Sequence, residues 1–192
     1  MNRSILENPD IRRQSTVISL EAYHYLYQSG LIPEKTELIQ GVVINKMPKS
    51  PLHTYTVRKI FEFLSHLLSQ TGFCVFKEDP LTLTSTGSEP EPDIAVIKGV
   101  QSDFISMHPK TAEWVIEVAV SSLEIDREKC ADYAAAGIKR YWIVIPDEKS
   151  IEVYSEPRDG VYRQKTIMDF FRLQTIQIGD VKLEICLDNI IK

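Results

Sequence analysis

The sequence predicts an α/β domain built on a central mixed β-sheet that is flanked by helices. Three apolar runs of strand length, residues 93–97, 112–120 and 140–146, follow one another along the chain. A helical pattern at residues 126–136 separates the last two runs, and this strand–helix–strand order implies a right-handed crossover between parallel strands. Another helical pattern begins at Pro51 and predicts the longest helix of the fold.

The chain has 192 residues, of which 43% are hydrophobic and 26% are charged. These proportions are typical of a folded globular protein, and a usual size of about 100–200 residues per domain favours one domain. Residues 1–17 are polar and lack periodicity, which predicts a loose N-terminal tail. We therefore expect a single domain over residues 18–192.

The first half of this domain contains clear start and stop signals. Ser19 can cap a short helix that ends at Gly30. Two short apolar runs on either side of Gly41 predict a β-hairpin. The helix that begins at Pro51 repeats apolar residues at the helical period, and we expect it to end at Gly72.

The remaining elements are predicted to be strands. Residues 73–78 and 81–84 have strand character and are separated by a turn. Residues 150–155 and 160–166 predict a meander, in which the pair Asp159-Gly160 makes the hairpin turn. The rest of the chain alternates weakly and favours an additional edge strand.

Charge and composition limit the function. The net charge of −5 counts against a strongly basic nucleic-acid-binding protein, although a local positive rim is compatible with an acidic whole. The three cysteines are far apart in the sequence, which favours reduced thiols over a metal site. No apolar run approaches the roughly 20 residues of a membrane span, and the start of the chain lacks the apolar centre of a signal peptide. We therefore expect a cytoplasmic protein with no membrane partner.

Glu117 is the polar exception in an apolar strand. Side chains alternate along a strand, so Glu117 shares one face with Val115 and Ala119, while Trp114 and Ile116 lie on the other. Because both faces are otherwise apolar, the strand is predicted to be covered on both sides. A carboxylate buried there needs a cation or a donor. A structural ion pair with a buried Arg or Lys is the alternative to a functional role.

Asp93 opens the preceding strand directly after Pro92. An isolated aspartate at a strand end is commonly a turn residue, so its importance depends on Glu117. If the two strands are neighbours, their carboxylates lie close together and need a shared metal or a shared proton. Mg²⁺ fits such a pair because it takes oxygen ligands and is usually bound by one or two carboxylates.

Lys129 lies on the crossover helix, where Asp126, Lys129 and Tyr133 share a face. A lysine on a charged helix is usually solvated. Its functional interest comes from the two acids on the preceding strands.

Several segments together resemble the Uma-two family of endonucleases, within the PD-(D/E)XK nuclease superfamily. The matching pieces cover most of residues 36–155 and occur in the family's order. They are TELIQGVV, MPKSPLH, EPDIAVI, WVIEVAVSS, DREKCADYAAAGIKRYWIVIP and IEVYS.

The resemblance implies a restriction-endonuclease-like fold and an endonuclease that hydrolyses DNA with Mg²⁺, with Mn²⁺ as the alternative ion. It implies that Asp93 and Glu117 bind the metal, that the backbone carbonyl of Val118 completes the metal's coordination, and that Lys129 orients or activates the attacking water. Glu37 matches a family acid that contributes to the same metal cluster. The chain departs from the superfamily at Ala119, where a lysine is usual; in the Uma-two pattern the following helix carries that lysine.

Weaker candidates for substrate binding are His53, Glu91 and Tyr133. His53 matches a family histidine after the Ser/Pro turn, but a histidine at a helix start is as often local structure, and Glu91 is otherwise a loop acid. Six basic residues are candidates for phosphate contact, with scattered surface charge as the alternative. They are Lys46, Lys49, Arg58, Lys59, Lys139 and Arg140.

Two other functions fit the sequence. A non-catalytic module would bind nucleic acid or protein through the same fold, and a hydrolase of another phosphoester would suit the acidic charge better than DNA does. For an endonuclease we expect a homodimer, because a double-strand cut needs two sites and one domain of this size carries one.

Overall fold

The structure, a computed structural model, describes residues 14–192. The helices are α1 (Leu20–Gln28), α2 (Pro51–Leu67), α3 (Leu123–Glu128), α4 (Cys130–Ala135) and α5 (Leu187–Ile190). The strands are β1 (Thr36–Ile39), β2 (Val42–Asn45), β3 (Phe73–Phe76), β4 (Ile94–Lys98), β5 (Trp114–Val118), β6 (Arg140–Ile145), β7 (Ser150–Arg158), β8 (Val161–Asp169), β9 (Gln174–Ile178) and β10 (Val181–Ile185).

A six-stranded mixed sheet with the order β3-β4-β5-β6-β7-β8 forms the centre of the fold. Strands β5 and β6 are parallel, as the crossover predicted, and the other neighbours in this sheet are antiparallel. Strands β1 and β2 form a separate hairpin, and so do β9 and β10.

Strand β5 is buried on both faces, which confirms the prediction from its alternating sequence. Trp114 and Ile116 lie in a core with α2 and the β9–β10 hairpin. Val115 and Ala119 lie in a second core with Tyr133 of α4. Burying apolar surface on both sides of one strand fixes its register, and it fixes which way Glu117 points.

Local signals act as predicted at several positions. The hydroxyl of Ser19 caps α1 as predicted by accepting from the amide of Ala22. Ser50, which was not predicted as a cap, caps α2 in the same way by accepting from the amide of His53. Asp159 and Gly160 both have positive φ between β7 and β8, as the hairpin turn requires.

Four expectations need correction or fall outside the structure. Residues 81–84 form no strand, because Leu83 pairs with Ser88 across a tight turn and its side chain is fully buried. The last segment forms the β9–β10 hairpin on the core and not an edge strand of the central sheet. Helix α2 ends at Leu67, before the predicted Gly72. Of the predicted tail, residues 1–17, the first 13 residues lie outside the described part of the chain. The single domain stays a prediction.

The predicted helix over residues 126–136 consists of two short helices, α3 and α4, that meet at Lys129. Within residues 14–192, no helix is both long enough and apolar enough to cross a membrane.

Candidate functional site

Asp93 and Glu117 lie side by side where β4 begins and β5 ends. The antiparallel register pairs Ile94 with Ile116. Asp93, which precedes Ile94, therefore lies beside Glu117, which follows Ile116. The amide of Asp93 donates to Glu117 Oε2 (3.0 Å), and the amide of Val118 donates to Asp93 Oδ2 (2.9 Å). Both side chains are buried. Each carboxylate is therefore oriented by the backbone of the other's strand.

Lys129 lies at the inner end of this site. Its Nζ atom is 2.9 Å from Glu37 Oε1, 3.1 Å from Glu117 Oε1 and 3.7 Å from Asp126 Oδ1. All four side chains are almost fully buried. Glu37 and Glu117 lie within hydrogen-bond distance of this ammonium group, whereas Asp126 is an ion-pair partner beyond that distance, so one of its three N–H bonds is left for another acceptor.

Two neutral hydroxyls complete the inner part of the cluster. Tyr133, which is fully buried, donates to Glu117 Oε1 (3.0 Å), and Ser122 donates to Asp126 Oδ2 (2.6 Å). Tyr133 therefore lies behind Glu117, and its predicted contact with substrate stays a prediction.

A lysine and a histidine contact Asp93 on its outer side. Lys49 Nζ is 3.2 Å from Asp93 Oδ1, and His53 Nε2 is 3.1 Å from Asp93 Oδ2. Burial alone would raise the pKa of Asp93, but the hydrogen bond and charge of His53, with the charge of Lys49, lower this pKa to about 2. Nδ1 of His53 is buried without a hydrogen-bond partner among the described residues.

Glu37 reaches the site from β1. Its Oε1 pairs with Lys129, and its Oε2 accepts from the amide of Glu91 (3.2 Å). The side chain of Glu91 pairs in turn with Lys46 Nζ (2.6 Å). The structure thus brings Glu37, Glu91, Asp93, Glu117 and Lys129 together as the sequence predicted, although their roles stay predictions.

A cleft of about 80 Å³ opens onto these groups. The segment between β2 and α2, with Lys46 and Lys49, forms one wall together with His53 in the first turn of α2. Residues 120–129 contribute the other wall. Positive side chains therefore line an entrance that leads to buried carboxylates.

The inner carboxylates are hard to ionise together. Burial raises the pKa of Glu117 against the opposing charge of Lys129, and burial raises the pKa of Asp126 in the same way. Burial would lower the pKa of Lys129, but the charges of Glu117, Glu37 and Asp126 raise it well above its ordinary value. The single positive charge of Lys129 cannot neutralise the three carboxylates around it when all of them are ionised.

The charge of the whole cluster fits a divalent cation. Four carboxylates and two ammonium groups lie within it, and their net charge is −2 when all are ionised. These groups are Glu37, Asp93, Glu117 and Asp126 with Lys49 and Lys129. The four acids offer carboxylate oxygens, which are the ligand atoms that Mg²⁺ prefers. Among residues 14–192, no three His, Cys, Asp or Glu side chains are already grouped as metal ligands.

The structure separates four of the six basic candidates for phosphate contact into two groups. Lys46 and Lys49 line the cleft. Lys139 pairs with Glu113, and Arg140 donates to the carbonyl of Gln177. These last two residues lie at the start of β6, which is parallel to β5, whereas the site lies at the end of β5. They are therefore remote from the cleft.

Two residues of the site were not predicted as members of it. Asp126 precedes Lys129 by three positions, and this helical spacing was a usable signal. Glu78 pairs with Lys49 Nζ at 3.0 Å, and nothing in the local sequence indicates that contact.

The profile of the Uma2 family, described as "Putative restriction endonuclease", matches residues 20–184. The fold is also similar to the crystal structure of a "putative nuclease belonging to DUF820" from Anabaena variabilis ATCC 29413, with a TM-score of 0.72 and 18% identity. That similarity covers 91% of this chain and 99% of the other, and it confirms the predicted α/β, nuclease-like fold. No curated protein matches the chain.

Proposed function

The chain belongs to the Uma2 family, and we propose that it is an endonuclease that hydrolyses DNA phosphodiester bonds with a divalent cation. The pairing of Asp93 with Glu117 carries this proposal. Their carboxylates lie on neighbouring strands at the inner end of a cleft that has Lys46 and Lys49 on one wall. Like charges placed this close need a cation or a shared proton, and a phosphodiester substrate needs positive charge near its oxygens.

Asp93 and Glu117 would hold the cation, with Glu37 and the carbonyl of Val118 as further ligands. A bound Mg²⁺ or Mn²⁺ supplies a water of lowered pKa and stabilises negative charge on the phosphate oxygens. The surrounding hydrogen bonds keep the two principal carboxylates oriented before any ligand binds. The amides of Asp93 and Val118 and the hydroxyl of Tyr133 make these bonds.

Lys129 contributes a fixed positive charge at the inner end of the cleft. Its ammonium group pairs with Glu37 and Glu117, so it holds acids of two different elements in one place. We assign to it the orientation of the attacking water and part of the stabilisation of the negative phosphate. The buried position supports this role because a charge acts more strongly away from bulk water.

Nicking of plasmid DNA with Mg²⁺ or Mn²⁺ tests the proposal. We expect Glu117→Gln and Lys129→Ala each to lower the rate by about 100-fold or more, because the first removes a charged ligand of the cation and the second removes a positive charge near the reacting phosphate. The matched controls are Glu184→Gln and Lys182→Ala, which change an exposed pair on β10. These controls are expected to retain wild-type nicking.

The outcomes separate the alternatives. Nicking that survives either site substitution would contradict the assigned centre. Tight Mn²⁺ binding without nicking would favour a hydrolase of another phosphoester, which suits the net charge of −5. If the protein neither binds Mn²⁺ nor nicks DNA, a non-catalytic module on the nuclease fold is favoured.

A further inference from the structure

Lys49 is a second ammonium group at the site, and its surroundings differ from those of Lys129. Its Nζ atom lies between Asp93 Oδ1 (3.2 Å) and Glu78 Oε1 (3.0 Å). The Lys49 side chain is 29% exposed, whereas that of Lys129 is 6% exposed. Lys49 therefore reaches the mouth of the cleft, where a substrate can approach it.

The main chain holds Glu78 in position for this contact. Glu78 has a φ of +61°, which is uncommon for a residue with a side chain. Its amide donates to the carbonyls of Pro92 and Asp93, both at 3.2 Å. The main chain of this strained residue is thus fixed to the backbone of Asp93, which keeps the Glu78 side chain within reach of the site.

We propose that Lys49 is a displaceable counter-ion of Asp93. When the divalent cation binds Asp93, Lys49 leaves this carboxylate and pairs instead with Glu78 and a phosphate of the substrate. This inference rests on the proposed function, since it takes Asp93 as a ligand of the cation. It adds to that function a role for Lys49, which competes with the cation for Asp93 and contacts the substrate.

Charge and donor number support the exchange. A divalent cation and an ammonium group on one carboxylate repel each other, and Lys49 has Glu78 as an alternative partner. The ammonium group has three donors, and two of them are used by Asp93 and Glu78. Release from Asp93 leaves two donors for a phosphate. Lys129 has no comparable freedom, because it is buried among three carboxylates.

Calorimetric titration with Mn²⁺, without substrate, tests the competition. We expect Lys49→Met to bind Mn²⁺ about tenfold more tightly than the wild type, because the cation no longer has to displace an adjacent positive charge from Asp93. Lys46→Met is the matched control, since Lys46 pairs with Glu91 on the same wall and not with Asp93. We expect it to change Mn²⁺ affinity by less than about twofold.

The substrate contact predicts a change of opposite sign. With Ca²⁺ as a non-catalytic cation, Lys49→Met is expected to bind a short DNA duplex about tenfold more weakly, and its salt slope should fall by about 1, as for one lost phosphate contact. A purely structural role for Lys49 would not strengthen cation binding while weakening DNA binding.

Two results would overturn the inference in different ways. If the wild type binds no Mn²⁺, or Asp93→Asn binds it equally well, the proposed function fails and the inference fails with it. If the wild type binds Mn²⁺ through Asp93 but Lys49→Met has unchanged affinity for both Mn²⁺ and DNA, the inference alone is wrong.

Discussion

Individual buried carboxylates in this protein have different chemistry because their partners differ. The pKa of Asp93 is lowered to about 2, so this group is ionised at neutral pH and suited to a cation. Burial raises the pKa of Glu117, which lies deeper and shares its ammonium partner with other acids. A divalent cation would offset the negative charge of these acids that Lys129 leaves uncompensated.

A third buried carboxylate, Glu152, stabilises the fold and allows a test of stability against pH. It pairs with Arg127 and Lys165 and accepts from Tyr154. Burial alone would raise the pKa of Glu152, but these hydrogen bonds and charges lower it to about 2. The lowered pKa stabilises the folded state above the unfolded pKa of about 4.5, and this contribution is lost as the pH falls towards 2.

We therefore expect Glu152→Gln to lower the free energy of unfolding by about 1–3 kcal/mol at pH 7, measured by urea denaturation. The difference from the wild type should shrink as the pH falls below about 4.5. Glu124→Gln is the control, because Glu124 pairs with Arg127 but is 84% exposed. Equal effects of the two substitutions, or a difference that does not change with pH, would contradict the prediction.

At the scale of elements, the β1–β2 hairpin is placed by contacts outside the central sheet. It carries Glu37 into the site, and Leu38 pairs with Glu89. At its turn, Gln40 Nε2 donates to Asp132 Oδ2 (3.2 Å), and Asp132 is fully buried on α4. Helix α4 begins directly after Lys129, so this contact links the elements that supply the Glu37–Lys129 pair.

The turn of this hairpin requires glycine for two reasons. Gly41 has a φ of +75°, and a Cβ atom there would lie 2.5 Å from Cβ of Val17 and 3.0 Å from the carbonyl oxygen of Ile18. Gly30 has a similar φ of +67° but nothing within 4 Å of the same position. A comparison of the two glycines separates the backbone cost from the steric clash.

We expect Gly30→Ala to cost about 1 kcal/mol for backbone strain, and Gly41→Ala to cost about 2–4 kcal/mol because the clash adds to that strain. Thermal unfolding measures the difference. Gly41→Ala should also weaken Mn²⁺ binding through displacement of Glu37. Equal melting temperatures for the two variants would show that the contact with Val17 relaxes without cost.

At the scale of the whole molecule, the sheet separates two cores and leaves the site at one end. The chain has 27 acidic and 22 basic residues, yet Lys46, Lys49 and Lys129 meet at a single cleft. The protein therefore combines a negative net charge with positive groups where a phosphate would enter. For a nucleic-acid substrate, as proposed, this arrangement would limit non-specific binding while allowing contact at the cleft.

We propose that the protein acts as a cytoplasmic homodimer, since each chain supplies one site and a double-strand cut needs two. Light scattering after size-exclusion chromatography should give twice the 22.0 kDa mass of the chain, and linear plasmid should appear early among the products. A mass of one chain with nicked circles as the lasting product would contradict the dimer without contradicting the nuclease.

Local sequence predicted most elements and the principal acids. The cap at Ser19 and the turn at Asp159-Gly160 depend on groups a few residues apart, so a short segment contains the whole signal. The alternation around Glu117 likewise determined which neighbours share its face. The break at Lys129 was missed because the helical pattern continues through it.

The sequence by itself determined that a buried acid lies in β5, that another opens the preceding strand, and that a lysine follows on the crossover. Only the tertiary structure decided their partners, such as Lys49 with Asp93 and Glu78, or Glu37 with Lys129. Periodicity and capping arise from interactions within a few residues. A salt bridge between distant elements depends on how the sheet, the hairpin and the helices pack, and the local sequence does not encode that packing.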